Sequence, residues 1–511
     1  MGILEKIFGK HWGVHPDDHK RPAADLPIKR LPVPPRVYVP LSQHVGALAR
    51  PIVMVGQDVL KGQCIAEAQG NISSPVHAST SGRVVAIGEI PAPHPSGLPV
   101  QAITIASDME DRWIECEPVA DPFSLTPQEI AKRVAAAGIV GLGGATFPSA
   151  VKLALGLRSK IRTLIVNGSE CEPYLSCDDR LMRDRAEGII KGVRVILHAT
   201  GAREAKVGIE DNKPEAIEAM RVAAANFKEI TICPVPARYP MGSDRQLIVE
   251  LAGKEVPSDA RAADVGVIVH NVGTAYAVHE AIYHGRPLVS RVMTLNGGAV
   301  AEPGNYEVPI GTLVDDLFAF CGGIKGTADR FIMGGPMMGS VLPHLQVPVV
   351  KGTAGILALT AAEVAEREPD ACIRCGSCIR ACPMGLLPLE MSAHIRADDL
   401  PGADDLGLRD CIACGCCAYV CPSHIPLVQY FYHAKGELSA RQRAQLRQES
   451  SKKLVAARAE RLERESREKA EAAARRKAER DAAKKAAAAA AAAEAATATP
   501  STATATDGEP A

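Results

Sequence analysis

The chain has 511 residues, and its 58 lysines and arginines against 59 aspartates and glutamates give a formal net charge of −1. This balance argues against a protein whose binding depends on a strongly basic surface, such as a nucleic-acid-binding protein. No stretch reaches ~18 consecutive apolar residues, so the sequence predicts no membrane-spanning helix. The length suggests about three or four domains.

The chain contains 15 cysteines, and eight of them follow the regular spacing of two compact runs. The other cysteines are scattered without the regular spacing of a disulfide framework. Together with the runs they favour a reducing, cytoplasmic compartment. The N-terminus has no apolar core followed by a small-residue cleavage site, so we expect no signal peptide.

Residues 1–27 are predicted to be an anchor segment. Ile3, Leu4, Ile7 and Phe8 share one face at helical spacing. This pattern fits a short helix that lies on lipid or on a membrane partner. It fits equally well a terminal helix that packs on its own domain.

Residues 28–120 are expected to form a β domain, because short valine and isoleucine runs alternate with glycine and proline. The stretches 56–63 and 73–85 resemble the two halves of a biotinyl/lipoyl-type sandwich. That family carries a lysine in the hairpin between the halves, but here no lysine occurs between Lys61 and Lys132. We therefore expect a structural or docking role for this domain.

Residues 121–285 alternate predicted helices and strands, which indicates a mostly parallel α/β domain. Thr126 and Glu129 form a capping box that begins the first helix, and Gly138 ends it. The strands are predicted at 163–167, 206–209, 230–233 and 265–270. Longer helices are predicted at 178–200, 214–227, 244–251 and 274–284.

Residues 286–360 are predicted to form a small β-grasp-like domain followed by a linker. The domain should contain a strand at 290–295, a turn at Gly297-Gly298 and a helix at 312–321. A glycine-rich stretch at 334–339 then leads into the linker.

Residues 361–436 contain two runs with the C-x₂-C-x₂-C-x₃-C-P spacing of bacterial [4Fe–4S] proteins. In this spacing three thiolates hold one cluster and the fourth, followed by proline, reaches the other cluster. The predicted ligands are Cys372, Cys375, Cys378 and Cys421 for cluster 1, and Cys382, Cys411, Cys414 and Cys417 for cluster 2. Zinc sites or disulfides are the alternatives, and the duplication of the run argues against both. Cys416 is out of phase with the spacing and is predicted to be a packed or free thiol.

Residues 437–511 are charged and rich in alanine. They lack the apolar stripe of a core-forming helix, so we expect a solvated, partly helical tail. A weak contact with acidic lipid or with a partner surface is an alternative to a purely non-catalytic tail.

A glycine-rich loop at 138–148 leads into a predicted helix at 149–157 that carries Lys152. Clustered glycines let backbone N–H groups approach a phosphate, and a helix N-terminus and a lysine add positive charge. The loop lacks the G-x-G-x-x-G fingerprint and is weak support by itself. Polar clusters at 167–174 and 270–274 directly follow two strands, where parallel sheets bind ligands. The three stretches together predict a ligand site.

The order of α/β domain, β-grasp domain and iron–sulfur segment resembles the NADH-binding flavoprotein subunit of respiratory NADH dehydrogenases. The resemblance runs over 141–152, 167–173, 242–244 and 271–274. With the N-terminal sandwich, the two cysteine runs and the alanine- and lysine-rich tail, the whole chain resembles the RnfC family, the C subunits of Rnf ion-translocating electron transport complexes.

This resemblance implies that the protein binds FMN, NAD(H) and two [4Fe–4S] clusters. The implied FMN contacts are Gly141, Gly143, Gly144, Lys152, Asn167, Ser169, Glu170 and Asn271. Phe147 and Glu172 would contact the nicotinamide nucleotide, and Asp244 lies where the dehydrogenases have an acidic pair. Leu142, Thr146 and Ser169 differ from the residues at these positions in the dehydrogenases. The differences affect the side-chain contacts with the nucleotide, whereas the phosphate contacts use the backbone and are less affected.

The implied activity is electron exchange between NAD(H) and ferredoxin-level carriers, coupled to ion translocation by membrane partners. Hydride transfer to a flavin needs no general acid or base, so no catalytic side chain is predicted. The implied partners are integral membrane subunits and an iron–sulfur subunit, with this chain peripheral on the cytoplasmic face of the cell inner membrane and no nucleic acid bound. The alternatives are a soluble diaphorase-type module and a flavin-free iron–sulfur wire or scaffold.

Replacing Cys375 by alanine should remove cluster 1, because one iron loses its thiolate. We expect iron and acid-labile sulfide in the reconstituted protein to fall by about half, since one of two equal clusters is lost. Cys416→Ala is the matched control, because Cys416 lies within a run but out of phase, and it should keep the full iron content. Unchanged iron and visible absorption in Cys375→Ala would refute the ligand assignment.

Overall fold

The computed structural model describes residues 12–156, 159–364 and 367–496. The chain divides into one compact unit that ends at Tyr432 and a second that begins at His433. The predicted N-terminal helix of residues 1–10 lies outside the described residues. Among the described helices, none combines the length and the apolar character needed to cross a bilayer.

Two antiparallel sheets form the N-terminal β domain. Their strands are β2 (Arg36–Pro40), β3 (Arg50–Pro51), β4 (Asp58–Val59), β5 (Cys64–Glu67), β6 (Val76–His77), β7 (Gly82–Pro91) and β8 (Pro99–Ser107). The sheet orders are β2-β8-β7-β4 and β3-β5-β6. Val37, Ile65 and Ile103 lie fully buried in the core that the two sheets share. The preceding strand, β1 (Lys29–Arg30), joins the β-grasp sheet described below, so the predicted domain boundary at residue 28 is wrong for this strand.

The α/β domain contains a four-stranded, fully parallel sheet. Its strands are β9 (Thr163–Gly168), β10 (Glu204–Glu210), β11 (Ile230–Val235) and β12 (Val267–Asn271), in the order β11-β10-β9-β12. Its helices are α1 (Pro127–Ala136), α2 (Ser149–Gly156), α3 (Cys177–Asp184), α4 (Ala186–Thr200), α5 (Pro214–Ala224), α6 (Asp244–Ala252) and α7 (Val272–Tyr283). The inner strand β9 is almost wholly buried, as expected for a parallel strand covered on both faces.

The capping signals at the first helix are confirmed. The Thr126 side chain accepts a hydrogen bond from the Glu129 N–H, and the Glu129 carboxylate accepts one from the Thr126 N–H. Gly138 follows the helix with a φ of +67° and donates its N–H to the carbonyl of Ala135. Glycine adopts this left-handed conformation without a steric penalty.

The single helix predicted over 178–200 is wrong, because two helices, α3 and α4, meet at Arg185. This residue leaves the helical conformation, with φ −137° and ψ 30°. Its guanidinium lies 2.6 Å from the carboxylate of Glu307 in the β-grasp domain. A tertiary ion pair therefore accompanies the break, and the helical periodicity of the sequence does not reveal it.

The β-grasp domain is a mixed sheet in the order β1-β14-β13-β17-β15-β16. Its remaining strands and helix are β13 (Ser290–Asn296), β14 (Gly304–Pro309), α8 (Val314–Phe320), β15 (Arg330–Met333), β16 (Ser340–Val341) and β17 (Gly355–Leu359). The linker predicted before residue 360 is wrong, because β17 lies fully buried between β13 and β15.

Short helices surround the two cysteine runs. They are α9 (Ala361–Val364), α10 (Ser377–Ala381), α11 (Pro388–Arg396), α12 (Leu400–Asp405) and α13 (Cys416–Tyr419). Single 3₁₀ turns occur at Ala23–Asp25, Pro122–Ser124, Ala262–Val265 and Leu408–Asp410. The last helix, α14 (Leu427–Ala496), is 70 residues long. Residues 441–496 are exposed throughout, as predicted for a solvated tail, but the helix is longer than the partly helical tail predicted from the sequence.

We expect Gly192→Ala to destabilise the α/β domain, because α4 and α7 cross at this glycine. A Cβ at Gly192 would lie 1.8 Å from the carbonyl oxygen of Ala275. The resulting overpacking should cost about 2–3 kcal/mol and lower the thermal unfolding midpoint by about 5 °C. Gly436→Ala, in a helix where the added Cβ meets no described atom within 4 Å, is the control and should leave the midpoint unchanged or slightly raised. Equal midpoints for both variants would contradict the packing argument.

Candidate functional site

The glycine loop, residues 138–148, is held in place by backbone and side-chain hydrogen bonds. Gly141 donates its N–H to the carbonyl of Phe147 at 2.8 Å, which closes the loop, and Phe147 is itself half-buried. The N–H of Leu142 donates to the Thr274 hydroxyl on α7 at 3.0 Å. Thr146 adopts a left-handed φ of +46°. Such a conformation is uncommon for a β-branched residue and occurs most often at functional sites.

The exposed backbone of the loop lies beside the end of β12. A Cβ at Gly143 would lie 3.0 Å from the Cβ of Asn271, whereas a Cβ at Gly144 would meet no described atom within 4 Å. Both glycines are exposed. The loop therefore presents its main chain to open space next to Asn271.

Polar side chains meet at the carboxyl ends of β9 and β12, which are neighbours in the sheet. Asn167 and Asn271 are opposite each other in the parallel register. The Asn271 amide donates to the Asp178 carboxylate at 2.6 Å, and the Asn167 amide donates to the carbonyl of Gly242 at 2.8 Å. The sheet thus brings two of the predicted polar stretches to one edge, beside the glycine loop.

Lys152 extends from α2 toward the same edge. Its ammonium donates to the carbonyl of Val269 at 3.2 Å. Burial lowers the pKa of Lys152, and the nearby carboxylate of Asp244 opposes this effect. Asp244 is the exposed first residue of α6. An anion bound next to the Lys152 ammonium would compensate that group for the hydration it loses on burial.

Several buried polar atoms at this edge have no hydrogen-bond partner in the described part of the chain. They are the Ser149 and Ser169 hydroxyl oxygens, one Asp178 carboxylate oxygen and the His270 Nε2 atom. Burying such groups without a partner costs about 1–3 kcal/mol each. Burial raises the pKa of Asp178 to about 6, and the neighbouring Glu170 adds to the shift. These atoms, the open glycine backbone and Lys152 fit a ligand that has a phosphate and a polar chain, as FMN does.

Glu170 has a structural role that its sequence position did not indicate. Its two carboxylate oxygens accept hydrogen bonds from the N–H groups of Asp178 at 2.7 Å and Asp179 at 3.1 Å, at the start of α3. Glu170 also has a left-handed φ of +47°. A carboxylate at a helix N-terminus compensates the partial positive charge of that terminus. Glu170 therefore fixes the geometry between β9 and α3.

Glu172 connects the loop after β9 to the β-grasp domain. Its carboxylate accepts hydrogen bonds from the N–H groups of Met337 at 3.1 Å and Met338 at 2.9 Å. Burial raises the pKa of Glu172 to about 7 despite these bonds. The glycine-rich stretch at 334–339, predicted only to lead into a linker, thus forms one wall of the candidate site.

Lys20 holds the loop that carries both glutamates, a role that sequence reasoning missed. Its buried ammonium donates to the carbonyl oxygens of Glu170 at 2.8 Å, Glu172 at 3.0 Å and Leu175 at 2.5 Å. The N–H of Tyr174 donates to the carbonyl of Asp18 in the same N-terminal segment. Burial lowers the pKa of Lys20. A lysine in a proline-rich segment has no spacing or motif that predicts such a role.

The two cysteine runs repeat the same local geometry. The N–H of Arg374 lies 3.4 Å from the Cys372 sulfur, and the N–H of Ala413 lies 3.4 Å from the Cys411 sulfur. Arg374 and Ala413 both have left-handed φ values, of +55° and +53°. Hydrogen bonds from backbone N–H groups to sulfur are one means by which proteins tune iron–sulfur clusters. The two runs therefore repeat not only their cysteine spacing but also their backbone conformation.

Cysteines from opposite runs come together. One cavity is lined by the last cysteine of the first run and by three of the second, namely Cys382, Cys411, Cys414 and Cys417, and by Cys416. Cys378 of the first run and Cys421 of the second are electrostatic neighbours. Cys416 is completely buried, as predicted for a packed thiol.

The second run and the end of the first run pack against the α/β domain. The Tyr239 hydroxyl donates to the carbonyl of Cys414 at 2.7 Å, and the Gln246 amide donates to the carbonyl of Pro383 at 2.9 Å. Cys414 is buried, whereas Cys372 and Cys375 of the first run are exposed. The two groups of cysteines therefore differ in their access to solvent.

Four family models match the chain in consecutive regions. They are the RnfC barrel sandwich hybrid domain (8–110), the Nuo51 FMN-binding domain (134–280), the SLBB domain (292–341) and a 4Fe-4S dicluster domain (371–425). The C subunit of the ion-translocating oxidoreductase complex of Rhodobacter capsulatus is 53% identical over 439 residues, covering 85% of this chain and 84% of that protein. The chain belongs to the RnfC family, the C subunits of ion-translocating oxidoreductase complexes. This confirms the family and the domain order predicted from the sequence.

Other members of the RnfC family are also similar. The C subunit of the proton-translocating ferredoxin:NAD(+) oxidoreductase complex of Clostridium ljungdahlii is 45% identical, over 83% of this chain and 93% of that protein. The C subunit of the ion-translocating oxidoreductase complex of Pseudomonas aeruginosa is 49% identical, over 87% of this chain and 57% of that protein. Among solved structures, a chain of an NAD+-reducing [NiFe]-hydrogenase in the H2-reduced state aligns with 24% identity and a TM-score of 0.40, covering 47% of this chain and 49% of that chain.

In this member of the RnfC family, Lys20→Met should loosen the loop after β9, because three carbonyls lose their shared donor. We expect faster amide hydrogen exchange at residues 170–175 with unchanged protection in α4 and α7. We also expect the content of bound FMN to fall. Lys29→Met, at an exposed position of β1, is the matched control. Unchanged exchange and FMN content in Lys20→Met would show that the ammonium does not position the loop.

Proposed function

We propose that this protein transfers electrons between NAD(H) and one-electron carriers through FMN and two [4Fe–4S] clusters, as a peripheral part of an ion-translocating membrane complex. The observation that carries the proposal is the contact between Tyr239 of the α/β domain and the backbone of Cys414, at 2.7 Å. Because of this contact, the second cysteine run lies against the domain that carries the glycine loop and the polar strand ends.

FMN, when bound, supplies the change between two-electron hydride transfer and single-electron transfer. In our proposal the glycine loop, with Gly141, Gly143 and Gly144, and Lys152 bind the phosphate. The Ser169 hydroxyl is buried and has no hydrogen-bond partner among the described residues, which supports a polar contact with the ligand. Asn167, Glu170 and Asn271 complete the flavin contacts. Glu170 has lone pairs left for this contact, since a carboxylate can accept about four hydrogen bonds.

The nucleotide contacts are assigned to the rim of the same site. We assign Phe147 to pack against the nicotinamide nucleotide, and Glu172 and Asp244 to the polar contacts with it. The half-buried position of Phe147 at the end of the glycine loop supports this assignment. No described side chain needs to move a proton, because a hydride would pass directly from the nicotinamide to the flavin when both are bound. The task of these residues is to hold the two rings together and exclude water.

The cluster ligands are proposed as a crossed set, with Cys372, Cys375, Cys378 and Cys421 for cluster 1 and Cys382, Cys411, Cys414 and Cys417 for cluster 2. The shared cavity of the second set and the proximity of Cys378 to Cys421 support this crossing. The carboxylate of Glu172 acts electrostatically on Cys414, so cluster 2 would lie nearer the flavin. Cluster 1, with exposed Cys372 and Cys375, would then face the partner.

The proposed partners are the other subunits of the complex, including integral membrane subunits and an iron–sulfur subunit that exchanges electrons with cluster 1. The names of the Rhodobacter capsulatus and Clostridium ljungdahlii relatives support assembly into such a complex. Ion translocation requires a membrane, and NAD(H) is a cytoplasmic substrate. We therefore place the protein on the cytoplasmic face of the inner membrane.

An anaerobic absorbance titration of the reconstituted full chain with NADH tests the function. We expect the flavin absorption to bleach first and the cluster absorption to fall afterwards. Lys152→Ala should weaken FMN binding by about tenfold or more, because a charged hydrogen bond contributes about 1.5–3 kcal/mol. Lys132→Ala, exposed on α1, is the matched control and should retain FMN.

A different result would contradict the proposal. A cluster spectrum with no extractable FMN and no response to NADH would leave an iron–sulfur wire as the function. Equal FMN content in Lys152→Ala and Lys132→Ala would show that Lys152 does not bind the FMN phosphate. The redox function would still be tested separately by the NADH titration.

A further inference from the structure

A second cavity lies where the N-terminal β domain, the α/β domain and the β-grasp domain meet. Its volume is about 440 Å³, which is within the range of about 300–1,000 Å³ typical of small-molecule sites. Among the residues that the structure describes, the candidate flavin contacts do not line this cavity. Leu142 of the glycine loop and Gly273 near the start of α7 line one side of it.

The cavity has an excess of positive charge. Its cationic lining residues are Arg30, Lys61, Arg185, Arg286 and Arg291. Two carboxylates of the described chain, those of Glu280 and Glu307, also line it. Asp111 does not line the cavity but pairs with two of these cations, because its carboxylate is 2.9 Å from Arg30 and 2.6 Å from Lys61. Five cations thus face three carboxylates, and positive charge remains in excess even when the electrostatic effect of the buried Asp178 on Arg291 is included.

Arg291 has an unused donor inside the protein. The residue is 3% exposed, and one of its terminal nitrogens donates to the carbonyl of Leu142 at 2.9 Å. Its Nε atom has no hydrogen-bond partner in the described part of the chain. A buried guanidinium N–H without an acceptor is costly, and in native structures such a group calls for a specific explanation. Arg291 also lines the cavity, so a small shift of its side chain would bring this donor to an acceptor bound there.

Arg286 supplies a second guanidinium at the rim. It lies 3.5 Å from the Glu280 carboxylate, which is a loose ion pair, and its side chain is 48% exposed. The guanidinium also lies 5.5 Å from the centre of the Trp113 ring, and the Lys61 ammonium lies 5.1 Å from it. Cation–π contacts of this kind hold a charged group in place without neutralising it. The rim therefore presents an oriented cation that can still accept a ligand.

We propose that this cavity binds a small phosphate-bearing anion, with Arg291 and Arg286 as its principal donors. The planar guanidinium fork matches the oxygens of a phosphate, and the negative charge of a phosphate complements the excess of positive charge. The proposal concerns the three-domain junction and does not depend on the flavin assignment. A purely structural ion network at this junction would show no saturable binding of phosphate.

The test is equilibrium dialysis of radiolabelled inorganic phosphate against the full chain reconstituted with clusters and saturated with FMN. We expect one saturable site per chain. Arg286→Gln should weaken binding by about tenfold, since a charged hydrogen bond contributes about 1.5–3 kcal/mol. Arg291→Lys should weaken it similarly, because it keeps the charge but loses the fork. Arg50→Gln removes the same charge from an exposed position that pairs with Glu67, and it should bind phosphate like the unchanged protein.

Competition with AMP then distinguishes two sources of the phosphate group. Stronger binding of AMP than of phosphate would identify a phosphate ester as the ligand, and the reverse would identify free phosphate. The proposal is overturned if phosphate binding is not saturable, or if Arg50→Gln and Arg286→Gln lose equal affinity. It is also overturned if phosphate displaces FMN or if Lys152→Ala abolishes phosphate binding, since the phosphate would then occupy the flavin site. Arg286 lies at the exposed rim, so its variant tests the site even if Arg291→Lys fails to fold.

Discussion

The candidate redox site depends on one buried ammonium group, that of Lys20. Three carbonyl oxygens of the loop after β9 accept hydrogen bonds from it, and two residues of this loop, Glu170 and Tyr174, have left-handed backbone conformations. Each such conformation costs about 1–3 kcal/mol and persists only where its surroundings enforce it. The ammonium, the cap that Glu170 provides to α3 and the bonds from Met337 and Met338 to Glu172 supply that enforcement. The loop therefore depends on the N-terminal segment and on the β-grasp domain.

The same loop connects the candidate flavin site to the cysteine runs. Cys171 lies between the two glutamates in the chain, and it packs with Tyr239, Cys414 and Cys416 in one small apolar cluster. Burial raises the pKa of Cys171, so its thiol stays neutral within this cluster. Apolar, closely packed surroundings lower the dielectric around a redox site and keep water out. The molecule thus joins the α/β domain by packing to the second cysteine run and to the end of the first, while Cys372 and Cys375 at the start of the first run are exposed.

The role of the β-grasp domain is larger than its size suggests. Through Glu307 it positions the break between α3 and α4, through Met337 and Met338 it holds Glu172, and through Arg291 it reaches the glycine loop at Leu142. Each contact joins a charged group to a backbone or side-chain partner that lies more than a hundred residues away in the chain. The β-grasp domain therefore acts as a scaffold for the junction of α3 and α4, for the loop after β9 and for the glycine loop.

The sequence by itself determined the features that local spacing encodes. Cysteines three residues apart, a capping box and glycines that need a left-handed φ are properties of a few neighbouring residues, so the cysteine runs, the start of α1 and the glycine loop were all predictable. The convergence of Asn167 and Asn271 followed from the rule that parallel strands end at one edge. Only the tertiary structure decided which partners satisfy Lys20, Glu172 and Arg185, because a buried ion or carbonyl can be matched by groups from anywhere in the chain. The five residues of β17 were predicted to be part of a linker for a similar reason. An apolar run becomes a central strand only when two neighbouring strands pair with it, and those strands, β13 and β15, are distant in the sequence.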